Sequence, residues 1–323
     1  MTQSHRRSLR YLVVLFTASG CRPTHDSIET SAGEIEVAPG VQLHYSARGA
    51  GADTVLVPLG VFLEQALAPL AEDRTLIFYD VRSRGRSATV NDATKLGLNE
   101  DVEDLDRVRR HFRIAHPSVI GFSYMGAAAA LFAARHPGVA KRIVLLGPLA
   151  PQAAIVAKAQ GNVIARLDSS SVQRLTKKLA MPAAAREEER ETCVEFWKTY
   201  ANAYMASGHA ELAERTMNPT CDISNETPRS FNRVLAAVFV NVGAWDWQAA
   251  ADSISAPVLI IEGSDDVVAP ASGGAAWAAH IRESRILTVP DAGHLAWAEH
   301  PEAVREAIWT FLRGNWPRGA RRE

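Results

Sequence analysis

Cysteine is scarce: this chain of 323 residues has three, Cys21, Cys193 and Cys221. None forms a Cys-x-x-Cys pair and no His-x-x-x-His occurs, so the spacings of common zinc and dithiol redox sites are missing and no metal is expected. Gly-x-Gly-x-x-Gly and the phosphate-loop pattern are absent too, which removes the usual signals of a bound dinucleotide or nucleoside triphosphate. No excess of one charge exists: 35 Lys and Arg face 36 Asp and Glu, a net charge of −1. With no basic stripe interleaved with aromatics, a nucleic-acid partner is not expected. There is no internal repeat and no apolar run long enough to span a bilayer.

What is present is alternation. Glu34–Val37 and Val41–Ala47 alternate apolar and polar residues, the pattern of an antiparallel pair at a sheet edge. Six near-continuous apolar strands follow at Thr54–Val57, Thr75–Tyr79, Ser118–Ile120, Arg142–Leu146, Val258–Ile261 and Arg285–Val289. Strands of that kind are buried on both faces, which predicts a mostly parallel sheet covered by helices. Helices are predicted at Asn99–Phe112, with acids early and arginines late to suit the dipole, and at Tyr124–Arg135, Pro270–Ile281 and Pro301–Leu312. Between Leu149 and Trp247 the patterns are helical without a clear strand, so residues 149–247 are expected to form a cap over the C-terminal sheet edge. The core is then 34–148 and 248–313, an α/β doubly wound fold. Residues 314–323 form a basic tail expected to fray.

The N-terminus has its own logic. A basic stretch through Arg10 precedes apolar Tyr11–Ala18 and the small residues Ala18-Ser19-Gly20 before Cys21. This is the order of an export signal, and it resembles the lipobox of bacterial lipoproteins, although leucine is usual where Ala18 stands. Arg6-Arg7 with Leu9 is faintly similar to a twin-arginine signal. The lipobox resemblance implies cleavage before Cys21, lipid on its sulfur, and a chain held on the bacterial cell envelope through that anchor, facing the periplasm or exterior. Residues 22–33 would be the tether. Cys193 and Cys221 then remain, either as a disulfide in the cap or as two buried thiols.

Gly121-Phe122-Ser123-Tyr124-Met125-Gly126 sits between a strand and a small-residue helix. A serine on such a sharp turn exposes its hydroxyl and leaves the next backbone N–H free to hold an oxyanion. Serine needs a base to remove its proton, and an imidazole needs a carboxylate to fix its tautomer. Asp266 and His294 follow at strand ends in the order serine, acid, histidine. That order, with Val258–Pro270 around the acid, Asp291–Trp297 around the histidine and Tyr79-Asp80-Val81-Arg82 before Arg84-Gly85-Arg86-Ser87, resembles the α/β-hydrolase family. The resemblance covers Glu34–Leu149 and Pro257–Leu312. It implies a cofactor-free catalytic triad of Ser123, Asp266 and His294, with Asp266 favoured over Asp265.

The oxyanion donors expected on the same resemblance are the backbone N–H groups of Tyr124 and of Val61, in Pro58-Leu59-Gly60-Val61. One departure is Met125, where the family normally has glycine; methionine's flexibility is expected to preserve the elbow. Asp101–Phe112 and the helical cap resemble the proline iminopeptidase branch, whose substrates carry a free amino terminus. That would need acids in the cap, and Glu191, Glu195, Glu211, Glu214 and Glu226 are present, Glu226 being the favoured one. The branch's Gly-Gly-Pro loop is absent, so a carboxylesterase for small hydrophobic esters, its pocket lined by Phe62, Tyr124 and cap aromatics such as Phe196 or Trp197, is the competing expectation. The substrate is a small molecule or short peptide in either case. A non-catalytic, lipid-anchored binding protein on the same fold is the third.

Overall fold

The computed structural model describes residues 31–181 and 186–323; the expected export signal, Cys21 and most of the expected tether lie outside them. Eight strands form one sheet: β1 (Ser31–Ala38), β2 (Val41–Arg48), β3 (Thr54–Pro58), β4 (Thr75–Tyr79), β5 (Ser118–Phe122), β6 (Ile143–Leu146), β7 (Val258–Gly263) and β8 (Ser284–Val289). Their spatial order is β1-β2-β4-β3-β5-β6-β7-β8. β1 pairs antiparallel with β2, and β2 with β4. Every other pairing is parallel. β1 opens at Ser31, so the edge strand takes in residues assigned from sequence to the tether.

The central strands carry apolar residues on both faces because both faces are covered. Leu56, Ile77, Val119, Val144 and Ile260 are all fully buried. Twelve α-helices occur among the described residues. α1 (Gly60–Leu67), α2 (Leu98–His111) and α3 (Tyr124–Arg135) fall within the first part of the sheet. α4 (Ala153–Arg166), α5 (Ser169–Ala180), α6 (Arg186–Tyr204), α7 (Ala210–Met217), α8 (Pro228–Val242) and α9 (Trp247–Asp252) fill the interval between β6 and β7. α10 (Ala271–Ala278), α11 (Ala296–Glu299) and α12 (Pro301–Leu312) complete the chain. α2 shows why such a sequence is helical: Val102, Leu105 and Val108 form its buried stripe, with Glu100 and Asp101 in its first turn and Arg109, Arg110 and His111 in its last.

Two glycines let α3 lie close to the sheet. A Cβ on Gly121 would stand 2.3 Å from the Met125 carbonyl oxygen, and one on Gly126 would stand 2.9 Å from Pro148 Cβ. Met125 itself is fully buried and accommodated.

The helices between β6 and β7 are stapled by a Cys193–Cys221 disulfide with a Cα–Cα distance of 5.6 Å. The expectation of a frayed tail is corrected. Residues Ile286 and Arg321 exchange backbone hydrogen bonds of 2.8 Å, and Arg285 lies over the Trp316 ring at 4.8 Å. Apolar and cation–π contacts hold the tail against β8, so its basic composition did not decide its order.

Candidate active site

Strand β5 ends at Phe122 and helix α3 starts at Tyr124, which leaves Ser123 to make the whole turn. Its φ of 55° and ψ of −126° are strained for any residue but glycine. The turn holds because the Ser123 N–H donates to Leu146 O at 2.9 Å, and its carbonyl accepts from Gly126 and Leu149 at 2.9 Å each. Tyr124 is the first residue of α3, so its N–H has no acceptor one turn back.

Asp266 and His294 come from the loops after β7 and β8. His294 Nδ1 lies 2.8 Å from Asp266 Oδ2, and its Nε2 lies 3.0 Å from Ser123 Oγ. An ionised carboxylate only accepts, so Nδ1 carries the ring proton and Nε2 is left to accept from the serine hydroxyl. The other oxygen of Asp266 accepts the Val268 and Ala269 N–H groups at 2.9 and 2.7 Å. Those bonds fix the carboxylate's orientation. Asp265 has no such position. Gly147 allows this close assembly, since a Cβ there would stand 3.1 Å from both Asp266 Oδ2 and His294 Nδ1.

Glu299 stands in the family-like run Glu299-His300-Pro301-Glu302 with no role legible from sequence, yet its side chain is fully buried and ties the histidine loop to the helices above. Its Oε2 accepts the Gly293 N–H at 2.7 Å. Oε1 accepts the Ala206 N–H at 2.8 Å and stands 3.0 Å from His209 Nδ1. One carboxylate thus sets the loop directly before His294.

Ser123 and His294 open onto a cavity of about 330 Å³, with Asp266 behind the histidine. Phe62 and Tyr124 line it, as do Phe196 and Trp197 from α6. Phe62 meets Trp197 edge to face at 6.1 Å. Among the described residues around this cavity none is acidic; Arg84 is there, with Ser123 and His294. A larger, more open hollow of about 500 Å³ lies around Arg190, Glu211 and Glu214, without any triad residue.

Two expected site residues are placed differently. The Val61 N–H donates to Asp80 Oδ1 at 2.7 Å, so it is committed to a buried carboxylate and not to an oxyanion. Asp80 also accepts the Arg86 N–H at 2.9 Å, tying the β3 and β4 loops together. In the β3 loop it is Leu59, in a left-handed conformation with φ 59° and ψ 45°, that reaches the cavity wall. Glu226 is not a free acid either. It forms a buried ion pair with Arg84, whose Nε donates to Oε2 at 3.1 Å and whose Nη2 donates to Oε1. The Gly85 N–H adds a third bond at 3.1 Å. A carboxylate paired in this way, and absent from the cavity lining, is not presented to a substrate ammonium. Arg84 was legible only as one arginine in Arg84-Gly85-Arg86-Ser87; nothing in that run says which one turns inward.

Comparison with known proteins agrees with this architecture. A profile of the alpha/beta hydrolase family matches residues 49–307, and the chain belongs to that family. No protein of curated function matches by sequence. Among solved structures, the chain is similar to a hydrolase from Pseudomonas aeruginosa (23% identity, TM-score 0.67, covering 88% of this chain and 98% of that one). It is also similar to an esterase from Exiguobacterium antarcticum (16%, TM-score 0.66, 88% and 100%). A third is an esterase from Rhodococcus sp. ECU1013 (21%, TM-score 0.63, 88% and 99%). At these identities the likeness is one of fold.

Proposed function

We propose that this chain is a serine hydrolase that cleaves carboxylic esters through an acyl-enzyme. The observation that carries the reading is the continuous hydrogen-bonded line from Ser123 through His294 to Asp266 at the wall of an apolar cavity. Ser123 Oγ attacks the ester carbonyl as His294 Nε2 takes its proton, and Asp266 stabilises the imidazolium. The negative charge on the tetrahedral oxygen is held by the Tyr124 N–H and, in place of Val61, by the N–H of Leu59. Each such donor contributes roughly 3–4 kcal/mol to lowering the barrier. His294 then protonates the departing alkoxide, and a water activated by the same imidazole releases the acid.

An ester is favoured over a peptide with a free amino terminus because the described cavity lining offers Arg84 and no carboxylate. A buried ammonium beside a guanidinium, with no counter-charge, would be disfavoured. The esterase names among the structural neighbours accord with this choice.

The test is labelling with a fluorophosphonate, followed by turnover of short-chain p-nitrophenyl esters and prolyl-p-nitroanilide. Wild type should label and hydrolyse the esters, and Ser123→Ala should do neither. Equal labelling of both proteins would leave a non-catalytic binding protein. Faster turnover of the anilide would restore the aminopeptidase reading.

We also infer residence on the bacterial cell envelope with lipid at Cys21. The disulfide in the cap supports an oxidising compartment, in keeping with the export pattern at the N-terminus.

A further inference from the structure

The geometry points to a carboxylate-binding subsite in the cavity, formed by Arg84 Nη1 and Tyr124 Oη, so that the preferred ester carries an anionic carboxylate on the portion lying in the cavity. This rests on the serine-hydrolase reading and names its substrate class.

Arg84 is wholly buried. Glu226 occupies one edge of its guanidinium, the Nε and Nη2 side. The opposite corner, Nη1, carries two N–H donors directed away from Glu226, and it is buried with no hydrogen-bond partner. The hydroxyl of Tyr124, a residue 3% exposed, lies beside that guanidinium and is likewise buried without a well-aligned hydrogen bond. Both residues line the cavity that contains Ser123 and His294, while the two polar atoms are themselves shut off from water, so a ligand reaches them only as that wall opens. Native proteins rarely leave such groups unpaired, and a pair of them at one cavity wall is what a bound acceptor would satisfy.

The guanidinium is also held in place. Its carbon lies 4.8 Å from the centre of the Phe231 ring and 5.3 Å from that of Phe62, both cavity residues. Aromatic faces, a bidentate carboxylate and full burial together fix the orientation of Nη1. Asp101 makes no hydrogen bond or ion pair with Arg84, and burial pushes its carboxyl well above the ordinary carboxylate range. A substrate carboxylate that opens this wall would meet both donors in a water-poor site, where charge-assisted hydrogen bonds are strong.

Two observables separate the subsite from the chemistry. The first is specificity: mono-p-nitrophenyl glutarate against its neutral methyl ester, and 4-acetoxybenzoate against methyl 4-acetoxybenzoate, which place the carboxylate on the acyl or leaving side. At least one anion should exceed its neutral partner in kcat/KM by roughly 10- to 100-fold. Tyr124→Phe should reduce that ratio. The double variant Arg84→Met with Glu226→Leu, which removes the ion pair without stranding a buried charge, should abolish it.

The second observable is glutarate binding by calorimetry, which requires no turnover. Wild type should bind, and the double variant should not. Preference for the neutral ester in both pairs, with no glutarate binding, overturns the subsite even if Ser123 labels. Glutarate binding with no serine-dependent labelling retains the subsite and overturns the hydrolase. Should the double variant not fold, the Tyr124→Phe ratio and wild-type binding decide: an unchanged ratio overturns the role of the hydroxyl.

Discussion

Glu262, near the C-terminal end of β7, offers a sharp test of how this core handles a buried acid. The residue is 4% exposed, and its Oε2 has no hydrogen-bond partner. Gly274 of α10 packs against that oxygen so closely that a Cβ there would stand 2.3 Å away. Burial first, and then the charge of Asp266, push the carboxyl from 4.5 up to about 7. Between those two values the native state keeps a proton that the unfolded chain gives up. The neutral form's contribution is therefore complete below pH 4.5, declines as the pH rises through 7, and is flat above that. A shift of about 2.5 units at about 1.36 kcal/mol each corresponds to a decline of about 3 kcal/mol. Glu262→Gln is neutral throughout and should be spared it. In urea unfolding between pH 5 and 8, the variant should gain on wild type by about 2–3 kcal/mol as pH increases. Parallel curves for the two proteins would refute the reasoning, because other titrating groups are common to both.

Replacing Glu299 by alanine would strand the buried N–H groups of Gly293 and Ala206, costing roughly 2–5 kcal/mol of stability. Where the protein is still folded, kcat for a neutral aryl ester should fall about 10- to 100-fold through displacement of His294; an unchanged kcat in a folded variant would show that the loop holds itself. For the cysteines, breaking the bond across a sequence separation of 28 should lower the unfolding free energy by roughly 3–4 kcal/mol. Maleimide should find no free thiol at Cys193 or Cys221 in cell-envelope fractions, and Cys21→Ser should shift the protein to the soluble fraction; free thiols there, or an unmoved variant, would count against export with a lipid anchor.

The sheet could be read from sequence because burial on both faces leaves a mark on every central strand: Val144 and Ile260 have apolar neighbours along the chain as well as in space. The edge pair β1 and β2 kept its alternation for the complementary reason. α1 gave no comparable signal. Gly60–Leu67 is eight residues long and follows the strand almost immediately, so its periodicity has little room to develop. Its start depends on Leu59 adopting a left-handed conformation, which nothing about a leucine announces.

The candidate site divides along the same line. Ser123, Asp266 and His294 could be found because each stands in a local turn with small or turn-forming neighbours, and their order along the chain is itself informative. The pairing of Arg84 with Glu226 could not be found that way. They are separated by 142 positions, and no local pattern around either one points to the other. Their pairing depends on how the helices between β6 and β7 settle onto the loop after β4. There the Asn225 N–H donates to Gly85 O at 3.1 Å, and Arg233 Nη2 donates to Ser83 Oγ at 3.0 Å. The acid expected to meet a substrate cation instead anchors a cation at the cavity wall. Local sequence therefore reveals the serine, histidine and aspartate of the relay, whereas the ion pair behind the proposed carboxylate subsite is made where two distant segments dock.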